Sequence, residues 1–332
     1  MNNFFIILFF NCVIFFNFKK ISLVINIFDK PGSFRKIHNV KTPLLGGFVF
    51  LINIFFLFLL EKFDENLFPA ANSFEIIFFL FGCTFFCMIG FIDDKYNLHA
   101  NTKLLSASAF LLLFLQLDPN LILNEIKFSF YNNPIHLGIF SIPFTILCFL
   151  LFINAFNMID GINLLAISYF LFFLIFLLIH GYSYKFITFL FFPSILFLIK
   201  NYNGKTFLGD NGSLLIGFII AYLCVKFYNS SWIFQSADHV FLTMMIPGLD
   251  LLRLSVQRIL QKRHPFSSDR LHLHHLLLNF YSNQKTLFLL LSFILVPVII
   301  DYITNNNFTI FVILVSSIFY FGSVGILSLF KK

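Results

Sequence analysis

A chain of 332 residues that is 59% hydrophobic, 11% charged and of mean hydropathy +0.90 is not a soluble domain, because soluble domains carry about a quarter charged residues. The formal charge of +7 rests on Lys and Arg spread over the loops between apolar runs, as orientation and anionic lipid require, which excludes nucleic acid as a partner. The 55 Phe scatter through all the runs, a compositional drift rather than an aromatic array.

The apolar runs predict an all-α polytopic integral membrane protein, a single multi-span domain over residues 1–332. About eleven transmembrane helices are expected, at 4–27, 44–60, 74–92, 103–117, 138–156, 164–180, 184–199, 212–228, 239–258, 286–302 and 308–330. Backbone groups cannot stay unpaired in hydrocarbon, so these segments read as helices. Cys12, Cys83, Cys87, Cys148 and Cys224 all lie inside the runs and read as small packing residues, with no disulfide framework.

The first run starts without a basic region and meets Lys19 and Lys20 only late, which fits a retained span better than a cleaved signal peptide. The loop after it holds Asp29, Arg35, Lys36, His38 and Lys41, then Thr42-Pro43 and Gly46-Gly47. It reads as a basic wall facing phosphate. The third run ends in Asp93-Asp94. Two adjacent carboxylates at a membrane boundary repel each other, and a divalent cation relieves both; hard oxygens suit Mg²⁺. Lys103 opens the next run, where it can reach a phosphate or mark the boundary.

The outer loop at 118–137 reads as a hairpin, with strands at 126–130 and 135–137 and a turn over Tyr131-Asn-Asn-Pro134. The fifth run ends in Asn154, Asn157 and Asp160, spaced by three so that a helix aligns them as one polar wedge before Gly161. Their oxygens suit a metal shell or a phosphate, while helix capping explains Gly161 alone. Phe207-Leu-Gly209-Asp210-Asn-Gly212-Ser213 precedes the eighth run. A helix start there offers N–H groups to an anion, and Asp210 serves as metal ligand or cap, with Ser213 an equal candidate for the cap. The ninth loop carries Lys262, Arg263 and His264, then Asp269, Arg270, His272, His274 and His275. Imidazoles beside Arg270 suit a diphosphate better than zinc, since no cysteine lies near.

These five motifs occupy every second loop, so they share one membrane face. The odd-numbered loops and the C-terminal tail also hold most of the Lys and Arg, which places that face in the cytoplasm, the N-terminus outside and the C-terminus inside. Metal ligands, anion donors and a lipid-bounded cleft on one face point to phosphoryl transfer between a lipid and a soluble phosphate ester. The rival from another class is a secondary transporter that uses its carboxylates for ion coupling.

From about residue 29 to 276 the ordered motifs resemble those of the polyprenyl-phosphate N-acetylhexosamine-1-phosphate transferases, glycosyltransferase family 4. The resemblance implies a multi-span enzyme of the bacterial inner membrane, active on its cytoplasmic face. It further implies Mg²⁺, with Mn²⁺ as the substitute, a UDP-sugar donor and undecaprenyl phosphate as acceptor. A sugar 1-phosphate is transferred and UMP released. A second copy of the chain is a further expected partner.

Residue by residue, the resemblance casts Asp93, Asp94 and Asp160 as catalytic, and Asp93, Asp94, Asn157 and Asp210 as metal ligands. Whether Asp93 and Asp94 hold metal or act as base on the lipid phosphate is left open by it. Lys36, His38, Lys103, Asn154, Arg270, His272, His274 and His275 are cast as substrate-binding. The chain departs from the family after Asp160-Gly161-Ile162, where Asn163-Leu164-Leu165 stands in place of a second Asp followed by Gly-Leu. That departure makes a catalytically silent relative a further alternative. The last motif, His-Leu-His-His, is more similar to the branch using GlcNAc 1-phosphate than to the peptidoglycan branch with its MurNAc-pentapeptide donor.

Overall fold

The structure is a computed structural model describing residues 2–29, 41–61, 73–265 and 271–329. In chain order its elements are α1 (Asn2–Phe16), α2 (Phe18–Ile25), β1 (Phe28–Asp29), β2 (Thr42–Pro43), α3 (Gly46–Glu61), α4 (Ser73–Tyr96) and α5 (Ala100–Leu117). Then follow β3 (Glu125–Phe128), β4 (Tyr131–His136), α6 (Ser141–Ile159), α7 (Leu165–Ile179), α8 (Tyr184–Tyr202) and α9 (Gly209–Asn229). The chain closes with α10 (Ala237–Thr243), α11 (Met245–Leu260), α12 (Leu273–Leu278), α13 (Asn283–Ile303) and α14 (Thr309–Leu329).

The protein is a multi-pass helical membrane protein. Among the described residues seven helices are long and apolar enough to cross a bilayer, or nine if each of two bent pairs is one span. Each of the eleven expected runs is helical, but α3 and α7 are 16 and 15 residues long. That is short of the roughly twenty residues a span needs.

Two further runs are broken by local chemistry. At Asn17 both the backbone N–H and the side-chain amide donate to the carbonyl of Val13, at 3.1 and 3.0 Å, and α2 leaves α1 at 62°. A side chain that competes for a helical carbonyl bends the helix. In the ninth run Pro247 has no N–H to give the carbonyl of Thr243, so α10 stops there and α11 departs at 83°. The run expected over 239–258 is thus two helices joined at a sharp bend.

The chain divides into two compact units, each built from two stretches of sequence: Met1–His99 with Ala166–Ile219, and Ala100–Leu165 with Ile220–Lys332. In the first, α3 packs against α4 and α8, and α1 against α8. Its aromatic core sets Phe50 edge-on to Phe170 at 5.8 Å and stacks Phe86 on Phe218 at 5.0 Å. Buried Asn11 and Asn53 exchange side-chain hydrogen bonds of 2.8 and 3.0 Å between α1 and α3.

In the second unit α6 packs against α5 and α11, α13 against α14, and α12 against both α13 and α14. The expected hairpin forms, but its turn falls at Ser129-Phe130, with Phe128 paired to Tyr131, and Pro134 lies within β4 rather than in the turn. Both strands of a two-stranded ribbon are edges, where a residue without an N–H is tolerated. The turn is held from outside, since Asp238 Oδ1 accepts from the N–H of Ser129 at 2.9 Å.

Candidate active site

In the first unit the ends of three elements converge. Gly46 and Gly47 begin α3, Gly90 lies in the last two turns of α4, and Gly47 and Gly90 face the first turn of α9. A Cβ on Gly47 or Gly90 would run into the backbone of Asn211. Small residues are what let backbones approach this closely. The approach places Asp94 at the start of α9, where its Oδ1 accepts from the N–H of Asp210 at 2.9 Å and its Oδ2 from the N–H of Asn211 at 3.0 Å. The Asn211 side chain adds a 2.5 Å bond to Oδ2 and accepts from the N–H of Gly47 at 2.6 Å.

Asp94 thus caps a helix far along the chain, bonding the N–H of Asp210, 116 residues later. A helix start carries partial positive charge and unpaired N–H groups, and a carboxylate there satisfies both. The cap expected from Asp210 or Ser213 comes instead from α4: α9 begins at Gly209, and Ser213 is a buried residue inside it. Gly209 sits at φ 72°, in the left-handed region, and a Cβ there would meet Asp94 Oδ2 at 2.9 Å. Asp93 is buried, and its Oδ1 accepts from the N–H of Leu98 at 2.7 Å.

Among the described residues no three His, Cys, Asp or Glu side chains form a metal cage. Mg²⁺ takes one or two carboxylates and completes its shell with water and phosphate oxygens. The hard oxygens of Asp93 and Asp210, with Asp94 already committed to α9, fit that smaller requirement.

The second unit brings together the third and fifth motifs. α6 ends at Ile159, so Asp160 is the residue that closes it, its N–H bonded to the carbonyl of Asn157 at 3.2 Å. Asn154 turns its amide back to the carbonyl of Leu150 at 2.7 Å. The three-residue wedge therefore has only Asn154 and Asn157 on the helix. Gly161 lies under the ring of His274, which a Cβ at that position would strike. Lys103 stands in the first turn of α5, and His264 reaches Asn101 in the same turn at 2.7 Å.

His272 is buried and gives its Nδ1 proton to Asp250 Oδ2 at 2.8 Å, while its Nε2 faces Arg258 Nη2 at 3.5 Å. Asp250 also accepts from Arg253 at 2.8 Å and from the Tyr320 hydroxyl at 2.7 Å. Burial among neighbouring imidazoles pushes the His274 pKa down to about 3, because a desolvated ring disfavours charge. His275 is only partly buried.

Asp250, Arg253, Arg258 and Tyr320 were not among the residues expected at a site. Asp250 and Arg253 did carry a signal, since opposite charges three apart inside an apolar run must find partners. Lys36, His38 and Arg270 lie outside the described residues.

The family model for glycosyl transferase family 4 matches residues 76–228. The chain is 26% identical to the undecaprenyl-phosphate alpha-N-acetylglucosaminyl 1-phosphate transferases of Salmonella typhi and Escherichia coli K12, over 85% of this chain and 77% of each relative. It is also 26% identical to the probable undecaprenyl-phosphate N-acetylglucosaminyl 1-phosphate transferase of Bacillus subtilis, over 79% of this chain and 72% of that protein. The resemblance carried by the ordered motifs is borne out: the segment that runs from α4 to α9 is similar to glycosyl transferase family 4.

Proposed function

We propose that this protein transfers GlcNAc 1-phosphate, or the 1-phosphate of another N-acetylhexosamine, from its UDP derivative to undecaprenyl phosphate. UMP is released, and the product starts a cell-surface polysaccharide. The observation that carries this reading is the likeness, over 85% of the chain, to transferases whose names state that acceptor and sugar. The crowding of Lys and Arg into alternate loops supports a bacterial inner membrane location with the chemistry on the cytoplasmic face.

An oxygen of the acceptor phosphate attacks the β-phosphorus of the donor. The bond from that phosphorus to the bridging oxygen breaks, and the oxygen leaves with UMP. Such a reaction asks the protein mainly for positioning and charge neutralisation. Asp93 takes the last proton of the acceptor phosphate, mild work because that proton has a pKa of about 6. Asp94 holds the start of α9 and so places Asp210. Lys103 and the last of the motif's histidines, His275, give donors to the diphosphate. Asp93 and Asp210 would hold Mg²⁺, or Mn²⁺ in its place, and the ion would supply neutralisation of the charge on the diphosphate.

Transfer of labelled sugar phosphate from UDP-GlcNAc to undecaprenyl phosphate in isolated membranes tests the reading. Wild-type transfer that stops with EDTA and returns with Mg²⁺ is expected. Undiminished transfer by Asp93→Asn combined with Asp210→Asn removes the site assignment. One observation favours a catalytically silent relative: Asn163 and Leu164 replace the Asp-Gly of the family pattern, and Leu164 sits at φ 74°. Failure of the wild type to bind any UDP-sugar would select that second reading.

A further inference from the structure

The three histidines of the last motif are in three different situations. Both nitrogens of His272 are occupied by protein, Nδ1 by Asp250 at 2.8 Å and Nε2 by Arg258 at 3.5 Å. His274 is buried against Gly161. His275 is the most open of the three.

The partners of His272 are themselves fixed. Asp250 accepts from Arg253 Nη2, from the Tyr320 hydroxyl and, at 3.3 and 3.4 Å, from the N–H of Leu273. Arg253 Nε donates to the Tyr320 oxygen at 2.9 Å and its Nη2 to the carbonyl of Leu271 at 2.7 Å. Arg258, 2% exposed, gives Nη1 to the carbonyl of Pro265 at 2.6 Å. These bonds grip the chain at 265, 271, 272 and 273, on both sides of the segment that leads into α12. A short helix of six residues cannot hold itself in place; charged groups on α11 and a hydroxyl on α14 do it instead.

We infer that Asp250, Arg253, Arg258 and Tyr320 are positioning residues that fix the histidine motif, that His272 is its anchor rather than a substrate ligand, and that His275 is the histidine that meets the donor diphosphate. The inference deepens the proposed transfer reaction and rests on that reading for the role of His275. The anchor itself rests on geometry alone. His272 works through an Nδ1 donor, and an Asn side-chain amide places a donor close to that position. His272→Asn therefore keeps the bond to Asp250, and His272→Ala removes it.

Two measurements on the full-length chain in lipid nanodiscs decide the matter. The first is free of any assumption about function. In ¹⁵N-histidine spectra one Nδ1–H signal shows a strong hydrogen bond, vanishes in His272→Asn and shifts in Tyr320→Phe. Absence of such a signal, or its persistence in His272→Asn, overturns the anchor even if transfer is normal.

The second is steady-state transfer from UDP-GlcNAc to undecaprenyl phosphate. His272→Ala is expected to raise the donor KM about tenfold or more, the worth of one lost charge-assisted hydrogen bond, with kcat within about threefold. His272→Asn is expected to restore the wild-type KM. His275→Ala is expected to lower kcat/KM about a hundredfold while leaving the Nδ1–H signal in place. If His272→Asn is as impaired as His272→Ala, or if His275→Ala is unimpaired, the assignment within the motif is wrong. If the wild type transfers nothing from any UDP-sugar, the reaction reading and the His275 role fail together, and the spectra alone judge the anchor.

Discussion

Asn211 holds the carboxylate of Asp94 twice, through its backbone N–H at 3.0 Å and its side-chain amide at 2.5 Å, while its Oδ1 accepts from Gly47 at 2.6 Å. One side chain thus ties the end of α4 and the start of α3 to the first turn of α9. Asn211→Ala leaves the Gly47 N–H buried without its acceptor. A loss of about 1–3 kcal/mol is expected, read as a fall in the unfolding midpoint in detergent. Asn211→Asp is expected to be worse, since it sets a second carboxylate against Asp94.

Leu164 lies at φ 74°, in the left-handed region. An L-residue with a Cβ pays roughly 1–2 kcal/mol there. Leu164→Gly removes that strain, and the gain outweighs the added freedom of the unfolded chain. A higher midpoint of thermal unfolding is the expected result, and an unchanged or lower one would refute the strain.

The reciprocal Asn11–Asn53 pair calls for a double-mutant cycle. Each of Asn11→Leu and Asn53→Leu leaves a buried amide facing an apolar side chain, whereas the double variant removes both. The double variant is expected to be more stable than the sum of the single losses allows. A coupling of about 0.6–2 kcal/mol is anticipated for side-chain hydrogen bonds between helices in lipid.

Acid sensitivity should trace in part to His274. Its native pKa is pushed down to about 3 from an ordinary value of 6.5. Below pH 6.5 the unfolded chain takes up a proton that the native chain refuses, so stability falls as pH drops from 6.5 toward 3. By pH 5 the loss amounts to about 2 kcal/mol. In His274→Gln the drop in unfolding midpoint between pH 7 and pH 5 is expected to shrink; an equal drop in both proteins would assign the sensitivity elsewhere.

The helices were legible because lipid imposes a simple rule: apolar runs must satisfy their backbones internally. Their breaks were less so. Pro247 sits in the middle of an apolar run where a proline can either be tolerated or break the helix, and Asn17 looks like any polar residue near a boundary. The motifs could be picked out one by one, yet their spacing could not reveal that Asp94 caps α9, because Asp94 and Asp210 lie 116 positions apart. Asp250, Arg253 and Tyr320 escaped notice for a related reason. Asp250 and Arg253 could be read as a pair within one run, but their partnership with Tyr320 appears only when α11 and α14 meet. His272 was read as substrate-binding from its residue type and motif; which protein groups face its two nitrogens, Asp250 and Arg258, no spacing could show.

Each compact unit is made of two separated stretches of chain, and that has a bearing on biosynthesis. When the ribosome has delivered α4 to the membrane, the amides that will receive Asp94 have yet to be translated. The nascent protein must carry this buried acid uncapped until residue 211 emerges. A translation arrest placed between α5 and α8 should therefore yield a protease-sensitive intermediate, and one placed after α9 a resistant fragment.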